Sequence, residues 1–151
     1  MSELKLDSPK FSDGGKIPRK YGYMNKNINP PLEISGVPDK TESLALVMDD
    51  PDAMEPAGKI WDHWVIWDIS PEIEIIEEDD VPRGAVEGKN DYKKLGYGGP
   101  NPPDKEHTYI FKLYALDTKL DLKQGSTKDD LEDAMKGHIL DKTKLTGTYA
   151  P

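Results

Sequence analysis

The sequence has no cysteine, which excludes disulfides, thiolate nucleophiles and cysteine-ligated metals. Its single glutamine adds a weak sign of a heat-adapted source. Positive charge is scarce as well: 20 Lys and Arg against 29 Asp and Glu leave a formal net charge of −9 and a pI near 4.8. Non-specific binding to nucleic acid or to an anionic membrane rests on basic patches, so neither is an expected partner. No stretch approaches the roughly 20 apolar residues of a membrane span. Met1 to Lys20 is polar and holds no apolar core of signal-peptide length, so the expected compartment is cytoplasmic.

What the chain does have is punctuation. Thirteen glycines and thirteen prolines in 151 residues break regular elements often. The length predicts one domain over residues 1–151, and the frequent breaks predict that it is all-β in the main, with short strands and few helices. The clearest strand signal begins at Leu44. Leu44 to Met48 is apolar on both alternating faces, as in a strand covered on both sides. It ends in Asp49, Asp50, Pro51 and Asp52, where proline removes a ladder donor and carboxylates compete for backbone groups. A loop holding Pro51, Pro56 and Gly58 then leads to a second strand, His63 to Trp67. If the two run antiparallel, Asp50 and Asp52 lie near His63 at one edge.

Thr108 to Leu116 is the best strand in the chain, and His107, Tyr109, Phe111 and Leu113 share one of its faces. The preceding loop, from Gly96, mixes glycines and prolines, a composition suited to a preformed pocket rim. His107 thus opens a buried strand as His63 does. Elsewhere Leu4 to Leu6 and Leu32 to Ile34 alternate as short strands, and Lys144 to Tyr149 reads as a last short strand. Glu72 to Ile75 alternates strictly before a solvated acidic run, Glu77 to Asp80. Arg19 to Tyr23 reads as a loop crossing the surface. Thr127 to Ile139 has helical spacing with a cap at Ser126 or Thr127, and places His138 on a stripe at the core edge, outside the site.

Asp50-Pro51-Asp52-Ala53 with His63-Trp64 downstream, then Gly99-Pro100-Asn101-Pro102-Pro103 leading to His107 and Tyr109, resembles the phosphatidylethanolamine-binding protein family. The likeness is closer to its bacterial and archaeal, Raf kinase inhibitor-like branch. Asn27 to Glu33, Phe111 to Asp117 and Gly147-Thr148-Tyr149 extend it over nearly the whole chain. The resemblance implies an antiparallel β-sandwich of two sheets with one or two short peripheral helices and a small anion-accepting pocket at one end. It carries the pocket role to Asp50, His63, His107 and Tyr109, with Pro103 on the rim. Three positions depart from it: the family commonly has proline at Met54, arginine at Thr108 and tryptophan at Ile34. Loss of the arginine, with Asp104 and Glu106 close by, makes the local field less inviting to an anion.

The pocket chemistry leaves several uses open. In a receptor, imidazole N–H groups and the amides of Gly98 and Gly99 donate to phosphate or carboxylate oxygens, with Asp50 orienting a histidine tautomer. In a hydrolase the same groups act as general acid and base, although no serine sits in a nucleophile-elbow context. Two histidines with Asp50 or Asp52 could form a metal triad, but nothing in their spacing favours one. The candidate ligand-binding set is Asp50, Asp52, His63, Gly99, Pro103, His107 and Tyr109, with no catalytic residue, metal or cofactor expected. The expected ligand is a small anionic or phosphorylated molecule. The resemblance adds regulation or inhibition of a kinase or protease and is compatible with a homodimer; a weak acid–base hydrolase and a scaffold without ligand are the alternatives.

Overall fold

The computed structural model describes residues 3–151; Met1 and Ser2, the head of the polar stretch read above, lie outside the described residues. The strands are β1 (Lys5–Asp7), β2 (Gly15–Lys16), β3 (Leu32–Ser35), β4 (Ser43–Asp50), β5 (Trp61–Ile69), β6 (Ile75–Ile76), β7 (Val86–Glu87), β8 (His107–Leu116) and β9 (Ile139–Tyr149). Two short helices, α1 (Met54–Ala57) and α2 (Lys128–Met135), accompany them. The strands form a small sheet in the order β1-β3-β6 and a large one in the order β2-β9-β8-β4-β5-β7. All pairs are antiparallel except β2 with β9. The sandwich expected from the sequence is the fold of the chain.

The middle of the large sheet explains the unbroken apolar run at Leu44. All eight residues of β4 are buried. Leu44, Leu46 and Met48 point to the inter-sheet core with Leu6, Leu32, Ile34 and Ile76 of the small sheet. Ala45 and Val47 point the other way, into a second cluster with Trp67, Leu131 and Met135. A strand covered on one face by a sheet and on the other by a helix has no solvated side to encode. On β8 the alternation survives: His107, Tyr109, Phe111 and Leu113 are buried and the residues between them half-buried.

Five readings need correction. The helix is shorter than Thr127 to Ile139: Thr127 and Asp130 form a reciprocal capping box, but Gly137, at φ +80°, turns the chain out two residues after Met135. His138 therefore lies beyond the helix, exposed, donating from Nδ1 to Asp117 Oδ1 at 2.8 Å rather than packing at the core edge. The final strand starts at Ile139, because the long β8 offers pairing partners as far as Leu116. Glu72 to Ile75 yields only the two-residue β6, since Pro71 sits in a turn closed by Ile73 N–H on Ser70 O. Arg19–Tyr21 is a 3-10 turn whose Tyr21 ring is fully buried, its hydroxyl donating to the Glu78 carboxylate.

Candidate functional site

Antiparallel pairing brings the exit of β4 and the entries of β5 and β8 to one edge of the large sheet, with Asp50 opposite Trp61 and Asp49 opposite Ile110. The register adds one feature. Met48 faces Trp64 while Asp49 faces Asp62, so His63 is an extra residue on β5, a bulge at the mouth of the sheet. A bulge re-aims a side chain and ends regular pairing, here turning His63 toward the pocket while Asp62 faces the other side of the sheet and meets Lys128 of α2.

Asp50 is buried at the end of β4. Its Oδ1 accepts from the Asp52 N–H at 2.9 Å and its Oδ2 from His107 Nδ1 at 2.6 Å. His107 is fully buried and donates from its other nitrogen, Nε2, to Asp104 Oδ1 at 2.7 Å. Only an imidazolium donates at both nitrogens, so the arrangement holds His107 as a cation between two carboxylates. Burial opposes that charge, but the hydrogen bonds and charges of Asp50 and Asp104 outweigh it and raise the His107 pKa. Burial also pushes the Asp50 carboxyl up despite His107. At the exposed end, desolvation works against the Asp104 charge, yet its bond to His107 holds the carboxyl below the usual range.

His63 is the opposite case. Burial pushes its pKa down to about 4, against hydrogen bonding to Gly98 and Gly99. It is therefore neutral at pH 7, donating from Nδ1 to Gly98 O at 2.7 Å, which leaves Nε2 as an acceptor. Tyr109 stands edge-on to His63, ring centroids 5.2 Å apart. The Tyr109 hydroxyl is buried with no acceptor for its proton among the described residues. Burial, then the charge of Asp50, raises its pKa, the Asn101 backbone pulling the other way, so it stays a phenol.

These groups border a cavity of about 230 Å³. Ala53, Pro56 and Ala57 form one wall, Asn101, Pro102 and Pro103 another, and Trp61 and Tyr92 the aromatic side. Five candidates of the sequence reading, Asp50, His63, Pro103, His107 and Tyr109, meet here. Asp52 and Gly99 stand behind the lining. Asp52 Oδ2 accepts the Thr108 N–H at 2.8 Å, tying the turn after β4 to β8. The amides expected to donate to an anion are taken: Gly99 N–H by Asn27 Oδ1 at 2.7 Å, Gly98 N–H by His63 O at 2.9 Å. A Cβ on Gly99 would sit 2.1 Å from Tyr21 O, so this glycine serves close backbone packing. Tyr92 escaped the sequence reading; it stacks on Tyr23 at 4.0 Å and donates to Gly99 O at 2.8 Å. No local pattern marks it beyond the Asn90 turn that presents it, whose Oδ1 accepts the Tyr92 N–H.

Among the described residues no group of three His, Asp or Glu side chains is arranged to hold a metal ion. The His107 nitrogens face carboxylates and the His63 Nδ1 faces a carbonyl, which leaves no convergent set. Nor is any described helix long and apolar enough to cross a membrane.

The family model described as phosphatidylethanolamine-binding protein matches residues 7–150. The chain belongs to that family. A UPF0098 protein of Methanothermobacter thermautotrophicus is 47% identical over 151 residues, covering 97% of this chain and 98% of its own length. A UPF0098 protein of Pyrococcus horikoshii is 44% identical over 154 residues, covering 97% of this chain and 76% of its own length. Among solved structures, the phosphatidylethanolamine-binding protein homolog CT736 of Chlamydia trachomatis superposes with a TM-score of 0.93 at 39% identity, over 99% of this chain and 98% of its own. E. coli YbcL, described as a new member of the mammalian family, gives 0.90 at 30% identity, over 98% of both chains.

Proposed function

We propose that this chain binds a small oxyanion, of the phosphate monoester or carboxylate class, and does not turn it over. The observation that carries the reading is the His107 cation at the wall of a small cavity, beside a Tyr109 hydroxyl whose proton lacks an acceptor. A charge-assisted donor and a free phenol are the equipment for receiving an anion. The volume suits a headgroup-sized ligand, since pockets for drug-sized molecules start at roughly 300 Å³. Hydrolysis is disfavoured by the protonation states: His107 has no free lone pair and His63, with a pKa near 4, is a poor base at neutral pH. The proposal extends to regulation of a kinase or protease, with the half-exposed Met54 beside the cavity as a contact for such a partner.

Histidine NMR during titration with inorganic phosphate and with O-phosphoethanolamine tests the reading. His107 and His63 resonances shift together while His138, tied to Asp117 away from the site, stays still. Phosphatidylethanolamine vesicles presented in parallel separate a soluble ester from a lipid headgroup. Absence of any shift at the solubility limit of phosphate would discard the proposal. Binding weakens as pH rises through the raised His107 pKa, because the donor loses its charge.

A further inference from the structure

The outward nitrogen of His107, the one that an incoming oxyanion would need, is already engaged. Asp104 fills it from the rim loop, its carboxylate 2.7 Å from Nε2. The two ends of the His107 clamp differ in kind. Asp50 is buried in the end of β4 and fixed by the Asp52 N–H, whereas the Asp104 side chain is 34% exposed on a loop between the strands. Asp104 can rotate into water at little desolvation cost, and Asp50 cannot. Lys105 Nζ reaches Glu55 Oε2 at 3.2 Å across the mouth to α1, but both groups are well exposed, and such pairs hold weakly.

We infer that Asp104 is a tethered occupant of the oxyanion position and sets both the affinity and the selectivity of the pocket. A carboxylate three residues before its target acts as an intramolecular ligand at high effective concentration, and an external anion must displace it. The inference rests on the proposed binding function. The apparent dissociation constant of an external anion is then its intrinsic value divided by the fraction of time that Asp104 is swung out. Anions with a second point of attachment, such as a phosphate ester whose remaining oxygens reach Tyr109, compete well; a lone carboxylate, chemically identical to the occupant, competes poorly. The charged and titratable groups around His107 include Asp50 from β4, Asp52 from the following turn, Asp104 and Glu106 from the rim loop, His63 from β5, Tyr109 on its own strand, Tyr92 across the cavity and Tyr149 opposite it on β9.

The test compares the full chain with Asp104→Ala, and with Asp104→Asn as an isosteric second variant, by calorimetric titration with inorganic phosphate and with acetate. Glu106→Gln is the control, removing one neighbouring carboxylate that does not touch His107. Phosphate binding tightens on the order of tenfold in both Asp104 variants and changes by less than about twofold in Glu106→Gln. Acetate gains more than phosphate, and the His107 pKa read by NMR falls. An equal gain in Glu106→Gln overturns the inference, since a general field effect then suffices. If wild type binds phosphate and the Asp104 variants bind it no better, the tethered occupant is refuted while the binding reading stands. If none of the proteins binds phosphate or acetate, the binding reading fails and the inference falls with it. Phosphatidylethanolamine vesicles added to the series identify the source: a gain on vesicles assigns the position to a lipid headgroup, a gain only in solution to a free ester, and either supports displacement of Asp104.

Discussion

Two histidines in one pocket are driven to opposite protonation states by what each nitrogen meets. His107 has a carboxylate at both ends and His63 a carbonyl at one. Nitrogen-resolved NMR at pH 7 will show His107 protonated at both positions and His63 as the Nδ1–H tautomer; a charged His63 would break this account. The stability consequences run in opposite directions. His63 falls from its ordinary value of 6.5 to about 4, so between these values the unfolded chain binds more protons than the folded one. Its contribution is intact above pH 6.5 and lost as pH falls toward 4, a change of ~3 kcal/mol. Urea midpoints measured across that window drop in wild type and drop less in His63→Gln. The His107 contribution, with a raised pKa, is fully present below 6.5 and lost as pH rises through its folded value. Replacing His107 by Ala leaves Asp50 buried without its cation and costs about 3 kcal/mol in denaturant unfolding at pH 7.

At the scale of elements, the site is where β4, β5 and β8 meet, and α2 is clamped just behind it. Lys128, the first residue of that helix, reaches Asp62 Oδ1 at 2.8 Å and Asp49 Oδ2 at 3.3 Å. Lys112 from β8 reaches the same Asp49 oxygen at 2.9 Å. Successive residues Asp49 and Asp50 thus face opposite sides of one strand, one holding the helix and the other holding His107. Lys128→Ala leaves the largely buried Asp62 without its ion-pair partner, while Asp49 keeps Lys112, and is expected to cost about 3 kcal/mol, whereas Thr127→Ala, which removes only the cap, costs about 1 kcal/mol by the same urea measurement. The strand pairing at the pocket was legible in the sequence because apolar runs end abruptly at Asp50 and begin at His63 and His107. The bulge was not: a one-residue register skip leaves no local composition signal. The extent of β9 was hidden for a similar reason, since its outer residues become strand by pairing with β8 and not by their own propensity. Nor could a sequence reading see that Gly98 and Gly99 spend their amides internally, because the partners, His63 and Asn27, are far away in the chain.

Over the whole molecule, residues 4–16 are structural members. β2 pairs in parallel with the end of β9, Asp13 Oδ1 accepts the Thr146 N–H at 2.9 Å, and Leu4, Leu6 and Phe11 are buried in the inter-sheet core. Removal of residues 1–16 is expected to abolish cooperative thermal unfolding followed by circular dichroism, because three core side chains and an edge of each sheet go together. A truncated chain that still melts in one sharp transition would show that the sandwich closes without them.

The three tryptophans of the chain all lie on β5, spaced three residues apart. Trp61 borders the cavity, Trp64 sits in the layer between the sheets and Trp67 in the layer under α2. One strand therefore carries an intrinsic optical probe for each compartment. Emission from a chain keeping only Trp61 reports ligand arrival, and chains keeping only Trp64 or only Trp67 tell whether the two layers melt at one temperature or at two.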